Sequence, residues 1–156
     1  MVTFQREEYA SLVDEIKPLV EKDWRELAEN QEEVPLNVNY AGYQVLEKLG
    51  MLRAFSARQA GKLVGYAVYF TRNHTHFSTT RFACADAIWL DPAYRAPRVG
   101  LKLLAFVEKT LKSELKAGEV LVMHTTTKLA APALGRILGH LGHLPIEMGY
   151  SKLLRG

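Results

Sequence analysis

Apolar side chains recur at two different periods along the chain, and the alternation of these periods predicts an α/β protein. A short strand is predicted at 2–5. From about Arg6 the apolar positions follow helical spacing, which predicts an amphipathic helix that carries Tyr9, Leu12, Val13, Ile16, Leu19 and Val20. Because proline lacks the N–H of a helix interior, Pro18 is expected to kink or end this helix, with a second helical piece through Trp24 and Leu27.

Strand patterns dominate the middle of the chain, after a loop at 30–39 and a short helix at 43–49. Three segments combine apolar content with strand-forming residues: 51–59, 62–71 and 82–90. The first two are separated only by Ala60 and Gly61, which predicts an antiparallel hairpin. The polar segment 72–81 fits a connection or a strand with ragged ends.

The second half of the chain favours a helix, a strand, a helix and a final strand. The spacing predicts an amphipathic helix at 99–116, a buried strand at 119–125, a helix at 130–141 and a last strand at 146–154. A strand, helix and strand within 82–123 predict a parallel pair with a right-handed crossover. The whole pattern therefore predicts one α/β domain with a mixed sheet.

Length and composition also fit one domain over residues 1–156. Hydrophobic residues make up 48% of the chain and charged residues 24%, and a chain of this size can fold without disulfides. The single cysteine, Cys84, excludes a disulfide framework and a cysteine-rich zinc site. The N-terminus lacks a signal-peptide core, and no apolar run approaches the roughly 20 residues of a membrane span, so a cytoplasmic protein without membrane contact is expected.

Charge is small in total and uneven along the chain. The formal net charge is +3, a smaller excess than nucleic-acid binders usually carry, so no nucleic-acid partner is expected. Residues 1–50 hold 11 acidic and 5 basic side chains, whereas residues 51–156 hold 6 acidic and 15 basic ones. The basic part suits an anionic ligand, and it equally suits a solvated basic face.

Residues 88–111, IWLDPAYRAPRVGLKLLAFVEKTL, join a strand end, a proline-containing turn and the start of an amphipathic helix. A helix start presents free backbone N–H groups and the positive end of the helix dipole. Arg95, Arg98 and Lys102 surround this point, and Gly100 leaves room for a phosphate to approach the backbone. The segment predicts an anion site, with an ordinary strand-to-helix turn as the alternative.

This segment resembles the core motif of the GNAT acyltransferases (Gcn5-related N-acetyltransferases): Arg or Gln, two residues, Gly, one residue, then Gly or Ala. The family's preceding strand often reads like LYVDPEYRG, and the match here runs through Asp91, Pro92, Tyr94, Arg95 and Gly100. Arg98 stands where the family usually has its first Gly. With LVGYAVYF, NHTHF and GYSKLL, the resemblance covers about residues 40–155 and points to an uncharacterised bacterial and prophage branch.

The resemblance implies a single GNAT-like domain with a mixed, mostly antiparallel central sheet flanked by helices and one parallel strand pair splayed at the CoA site. It implies acetyl-CoA or another acyl-CoA as co-substrate, no metal, and transfer of the acyl group to a primary amine by direct attack. Residues 82–123 are the implied CoA-binding core, and residues 1–40 the acceptor side. The cofactor contacts carry over to Ile88, Trp89, Leu90, Arg95, Arg98, Val99, Gly100, Leu101 and Lys102.

Asp86 is the first candidate for a catalytic role. Many GNATs place an acidic general base near this point, and the apolar surroundings within 82–90 are expected to raise the pKa of a carboxylic acid. The alternative is a buried acid that hydrogen-bonds a neighbouring backbone group. His124, at the end of the next strand, is a candidate proton relay, although a lone His at a strand end is more often structural.

Substrate contacts are predicted for four further side chains. His74 and His76 would face the same side of an extended segment, and without an apparent third ligand they suit substrate contact better than a metal. Tyr40 and Tyr43, near acidic residues, fit an amine-bearing acceptor, although this region equally fits a solvated helix face. Cys84 lies inside an apolar strand and is a poor nucleophile, which favours direct attack.

One part of the family pattern is missing. Many GNATs carry a Tyr in the closing helix, four residues before the Gly of an LGF turn, as the acid that protonates the leaving thiolate. Aligning that Gly with Gly142 places Leu138 at the Tyr position. A catalytically weak GNAT-like module that binds CoA or another protein is therefore the alternative to an enzyme, and a monomer or homodimer is expected.

Overall fold

The computed structural model describes residues 1–95, 98–129 and 131–155. In these ranges the chain forms β1 (Val2–Glu7), α1 (Tyr9–Leu27), α2 (Tyr40–Lys48), β2 (Leu52–Gln59), β3 (Lys62–Asn73), β4 (Thr80–Leu90), α3 (Val99–Ser113), β5 (Val120–His124) and α4 (Pro132–His140). A one-turn 3-10 helix, Pro92–Tyr94, follows β4. None of the helices described is long and apolar enough to cross a membrane.

The strands form one sheet in chain order, from β1 at one edge to β5 at the other. β1 to β4 pair antiparallel, whereas β4 and β5 pair in parallel, from Thr80 opposite Val120 to Cys84 opposite His124. A parallel pair needs a crossover, and α3 lies in the connection between these two strands. The predicted mixed, mostly antiparallel sheet with one parallel pair is therefore confirmed.

Helices cover both faces of the sheet. On the α1–α2 face, side chains of α1 pack against the sheet in a cluster that includes Leu12, Ile16, Leu52 and Tyr66. On the α3 face, a second cluster includes Leu103, Val107, Phe55 and Tyr69. Because successive side chains of a strand point to opposite faces, strands covered on both sides are apolar where they are covered, as β3 is from Leu63 to Phe70.

Pro18 does not end the first helix, so of the two effects predicted the end is wrong, and the kink stays a prediction. α1 runs without interruption from Tyr9 to Leu27 and includes the piece predicted as a second helix. Ile16 and Leu19, on either side of the proline, are buried against the sheet, and this packing outweighs a proline cost of about 3 kcal/mol. The helix starts at Tyr9 because the Glu47 carboxylate of α2 accepts its first backbone N–H groups.

The strand predicted at 146–154 is also wrong. Residues 144–155, called the C-terminal segment below, have no regular secondary structure. A strand is stable only when neighbouring strands satisfy its backbone groups, and this segment pairs with none of the five strands described. At its end, Arg155 forms an ion pair with Glu33 in the connection between α1 and α2. Alternating apolar residues alone are therefore insufficient to form a strand here.

Candidate active site

β4 is flanked by strands on both sides along only its first half. Its pairing with β5 runs from Thr80 to Cys84, whereas its pairing with β3 continues to Leu90. In the part of the chain that the structure describes, no strand lies beside 85–90 on the side of β5. The backbone N–H and C=O groups on that side have no ladder partner. A cleft, called the β4–β5 cleft below, therefore opens where β5 ends.

Asp86 is the extra residue of a β-bulge at the start of this unpaired half. Val68 lies opposite Ala87, but the next residue, Tyr69, lies opposite Ala85, so Asp86 has no counterpart on β3. A bulge of this kind shifts the alternation of side chains by one position. Ala85 consequently packs on the α3 face, whereas Asp86 reaches α2 on the opposite face.

Tyr43 of α2 holds the Asp86 carboxylate. α2 begins at Tyr40, three residues earlier than predicted, because the Asn39 side chain accepts the Gly42 N–H at 2.9 Å and caps the helix. One turn later, the Tyr43 hydroxyl donates a hydrogen bond to Asp86 Oδ2 at 2.6 Å. The structure thus joins a predicted substrate residue to the predicted base.

Partial burial affects the pKa of both groups. Loss of hydration raises the pKa of Asp86, and the hydrogen bond from Tyr43 opposes this rise because it stabilises the carboxylate. The Asp86 side chain keeps much of its exposure to solvent, in contrast to the buried acid expected from the sequence. Burial and the neighbouring carboxylate raise the pKa of Tyr43, so its phenol remains protonated and acts as the donor.

The predicted histidines gather at the paired end of β4. His124 ends β5 opposite Cys84, and its ring meets Phe82 edge-on with 5.2 Å between centroids. His74 lies 4.7 Å from the same Phe82 ring and 5.5 Å from His76, both in the turn after β3 rather than in an extended segment. No group of three or more His, Cys, Asp or Glu residues described here is arranged to hold a metal.

The first turn of α3 offers backbone donors for an anion. Its N-cap residue, Arg98, has a left-handed backbone with φ 77°, a conformation that costs little for Gly and more for other residues. The chain therefore keeps a glycine-like backbone where the family motif has Gly. The Arg98 carbonyl accepts the Lys102 N–H at 2.8 Å, which leaves the N–H groups of Val99, Gly100 and Leu101 without intrahelical acceptors.

Arg95 is already engaged in a polar network at the end of β4. Its guanidinium donates two hydrogen bonds to Glu26 of α1, at 2.5 and 2.7 Å, and one to the Leu90 carbonyl at 2.7 Å. The buried Trp89 donates its indole N–H to the same Glu26 at 3.1 Å. Phosphate binding by Arg95 stays a prediction, and residues 96–97 of the motif lie outside the described residues.

Sequence reasoning missed Asp23, a partly buried acid on α1. Its Oδ2 accepts the Tyr66 hydroxyl at 3.0 Å, and Tyr66 lies opposite Trp89 in the sheet. Burial raises the pKa of Asp23 to about 6, with Arg95 and Lys128 opposing the rise only through longer-range attraction. The sequence does contain a sign of this residue, because Asp23 comes four positions after Leu19 on the apolar stripe of the helix, where charged residues are rare.

The β4–β5 cleft fits an extended ligand that contains amides and phosphates, such as CoA. The unpaired backbone of 85–90 can bind amide groups as a neighbouring strand would. The free amides of α3, with Arg98 and Lys102, suit phosphate oxygens.

A mixed sheet in which two parallel strands pair over only part of their length is the arrangement that the resemblance to the GNAT acyltransferases implies. A sequence model of the acetyltransferase (GNAT) family matches residues 13–139. This match covers most of the chain, and the protein therefore belongs to the GNAT family. No curated protein matches the sequence, and the narrower resemblance to a bacterial and prophage branch stays a prediction.

Solved acetyltransferase structures share the fold. Ribosomal-protein-alanine N-acetyltransferase from Brucella melitensis biovar Abortus 2308 aligns with a TM-score of 0.70 and 12% identity, over 99% of this chain and 100% of that one. An aminoglycoside acetyltransferase from an uncultured soil metagenomic sample, in complex with sisomicin, gives 0.74 and 12%, over 99% and 97%. A predicted acetyltransferase from Clostridium acetobutylicum, with acetyl-CoA, gives 0.66 and 11%, over 98% and 96%. These identities support the fold alone.

Proposed function

We propose that this GNAT-family protein is an N-acetyltransferase that moves the acetyl group of acetyl-CoA to a primary amine by direct attack. The observation that carries the proposal is the stretch 85–90 of β4, which β5 does not flank and which contains Asp86. A strand edge suited to an extended ligand, beside a carboxylate whose pKa is raised, supports the proposal. Acetyl-CoA supplies an acetyl group already activated as a thioester.

On the donor side, this chain supplies backbone amides and positive charge. We expect the first turn of α3, with Arg98 and Lys102, to hold the pyrophosphate, and the backbone of 88–90 to bind the pantetheine arm. Gly100 gives the phosphate room. A Cβ at this position would meet only the end of the Ile137 side chain, at 3.1 Å, so packing within the protein does not by itself require glycine.

On the acceptor side, Asp86 is the proposed general base. As the bond between the amine nitrogen and the acetyl carbon forms, the amine proton passes to the Asp86 carboxylate; the C–S bond then breaks and CoA leaves as a thiolate, which takes a proton from water. Tyr43 occupies Oδ2, which leaves Oδ1 to take this proton. A free backbone N–H of β4 is suited to stabilise the negative charge that develops on the carbonyl oxygen. His124 stays a candidate to pass the proton on to solvent.

The acceptor is proposed to be cationic and to bind against α1 and α2. Asp23 provides a carboxylate that no described basic side chain neutralises at close range, in contrast to Glu26, which is paired with Arg95. The Tyr40 ring lies 5.4 Å from the Lys17 ammonium and can attract positive charge. His74 and His76 lie beside the paired half of β4, outside the stretch 85–90, and are proposed to contact a longer acceptor.

A catalytically weak CoA-binding module is the second candidate, and one position favours it. Leu138, where many GNATs have the acidic tyrosine, is 7% exposed and lies on α4. Its side chain has no proton to donate, so water would have to protonate the leaving thiolate. Slow turnover with intact donor binding would fit this arrangement.

Two measurements separate these candidates. Acetyl-CoA at saturating concentration should raise the temperature of unfolding, because a ligand that binds only the folded state stabilises it. Release of free CoA thiol is then followed over a panel of monoamines and polyamines, with Asp86→Asn as the matched variant. Absence of any thermal shift contradicts both candidates. Donor binding without thiol release from any amine contradicts the enzyme and supports the binding module.

A further inference from the structure

The guanidinium of Arg95 has both of its paired donor edges in use. One edge, formed by the two Nη groups, donates to the Glu26 carboxylate at 2.5 and 2.7 Å. On the other edge, Nε donates to the Leu90 carbonyl at 2.7 Å. A guanidinium holds a phosphate best when two parallel N–H groups of one edge meet two phosphate oxygens. Arg95 therefore has to release one of these partners before it can bind a phosphate in this way.

Glu26 is the partner that a phosphate replaces more readily. The side chains of Arg95 and Glu26 are 40% and 34% exposed, and ion pairs this exposed add little to stability. Leu90 is buried, and a buried carbonyl that loses its donor is costly. Glu26 also keeps a second donor, the indole N–H of Trp89 at 3.1 Å. A pyrophosphate carries more negative charge than one carboxylate, so it attracts the guanidinium more strongly.

The loss of Arg95 would change the charge beside Asp23. Asp23 and Glu26 lie three positions apart on α1 and therefore share one side of the helix. Burial raises the pKa of Asp23 most; among its charged neighbours Glu26 adds to the rise, whereas Arg95 and Lys128 oppose it. Lys128 itself lies 3.7 Å from Glu29. Without Arg95, two carboxylates stand together and the cation that pairs with Glu26 is gone, so a positively charged ligand is attracted more strongly.

We infer, on the basis of the proposed function, that Arg95 couples the two substrates: the donor phosphate takes its guanidinium from Glu26, and Glu26 then joins Asp23 in binding the cationic acceptor. Without donor, Arg95 stays at Glu26 and repels a cation, so the free protein binds the acceptor weakly. Such a coupling is reciprocal, and each ligand raises the affinity for the other by the same factor.

Equilibrium binding in a complex that cannot react tests the coupling. CoA without an acetyl group is the donor probe, and 1,4-diaminobutane is the acceptor probe. Titration calorimetry measures the Kd of the diamine with and without saturating CoA. CoA should tighten diamine binding by about 5- to 10-fold, and the diamine should tighten CoA binding by the same factor.

Glu26→Gln is the variant that should remove the coupling. Glutamine keeps an oxygen for the Trp89 N–H but carries no charge, so Arg95 is no longer held. CoA should bind this variant about 2- to 5-fold more tightly, and diamine affinity should no longer depend on CoA. Glu21→Gln removes the same charge from the same helix, where Glu21 pairs with Arg25 at 2.5 Å. This matched control should behave like the wild type, and circular dichroism should show that both variants fold.

Failure of the coupling and failure of the proposed function give different results. If CoA does not bind, the donor site is wrong and both fail. If CoA binds but the diamine does not, even with CoA present, the acceptor site at Asp23 and the coupling fail. If both bind independently, only the coupling is overturned. Weaker CoA binding by Glu26→Gln would overturn it as well, because Glu26 would then position Arg95 for the donor. A coupling that persists in this variant would do the same, since direct attraction between diamine and CoA would explain it.

Discussion

The two halves of β4 share one neighbour and differ in the other. From Thr80 to Cys84 the strand lies between β3 and β5, and its side chains Phe82 and Ala83 are buried. From 85 to 90 only β3 flanks it, and the bulge at Asp86 changes the face that each side chain takes. In the first half, strands on both sides satisfy the backbone groups. In the second half, the backbone groups on the β5 side have no strand partner and could bind a ligand.

The second half is nevertheless held firmly, by side chains instead of a strand. Tyr43 contacts Asp86 from α2, and Glu26 of α1 accepts hydrogen bonds from both Trp89 and Arg95. These contacts fix the positions of Asp86, Trp89 and Arg95 without adding a strand beside 85–90, as the proposed preorganised site would require. The proposed function therefore depends on where β5 ends, and substitutions at several residues test this dependence.

Asp86→Asn should have the largest effect, a loss of turnover. An amide cannot take the amine proton, so turnover should fall by about 100-fold or more, while affinity for acetyl-CoA should not change. Cys84→Ser, two residues earlier in the paired half, is the matched control and should keep the wild-type rate. Thiol release at saturating donor measures both variants. Full activity of Asp86→Asn would remove it as the base.

Gly100→Ala should have the next largest effect and tests the donor side of the cleft. The added methyl group takes space that a phosphate needs, so affinity for acetyl-CoA should fall by about 10-fold, as titration calorimetry can measure. Thermal unfolding without ligand should change little, because the methyl would touch only the end of Ile137. Gly139→Ala places its methyl in open space on α4 and should bind the donor normally. Equal affinities of all three proteins would contradict a phosphate site at Gly100.

Tyr43→Phe should shift the pH profile of the reaction without abolishing activity. The hydrogen bond from Tyr43 lowers the pKa of Asp86 against the raising effect of desolvation. Without that bond the pKa rises further, so the ascending limb of kcat/KM should shift to higher pH. On that limb the rate should fall by about 3-fold, the value of one ordinary hydrogen bond, and recover at higher pH. A limb that stays in place would mean that Asp86 does not set it.

Asp23→Asn should have the smallest effect on the folded protein; besides removing a carboxylate proposed for a cationic acceptor, it changes stability. The pKa of Asp23 is about 6 in the folded protein and 3.8 ordinarily, so the folded state binds more protons between these values. Stability therefore falls as pH rises through this window. Asparagine still accepts the Tyr66 hydroxyl without carrying charge, so Tm near neutral pH should rise by about 2–6 °C. Near pH 4 the gain should vanish, and a gain that is independent of pH would point to another cause.

Much of the fold and part of the site follow from local sequence. The hairpin of β2 and β3, the helix α3 and the motif at its start, which predicts an anion site, can be recognised because their signals lie within a few adjacent residues. The bulge at Asp86 cannot be recognised in this way, since it depends on the register between β3 and β4. The Tyr43–Asp86 and Glu26–Arg95 contacts join residues 43 and 69 positions apart, and no local period encodes such a distance.

The errors have the same physical origin. Proline at position 18 is unfavourable for a helix locally, yet burial of Ile16 and Leu19 keeps α1 intact. The C-terminal segment has a strand pattern, yet no strand forms because no described strand pairs with it. In each case tertiary contacts, not local preference, supply the larger energy.

Local spacing and residue type therefore determined which segments become helices and strands, the family motif, and the presence of an acid in β4. The tertiary structure alone decided that β5 stops at His124, that Asp86 turns to Tyr43, and that Arg95 pairs with Glu26. Periodicity is a property of neighbouring residues and can be read along the chain. A free strand edge, a raised pKa and an ion pair between elements arise only when distant segments pack together and exclude water.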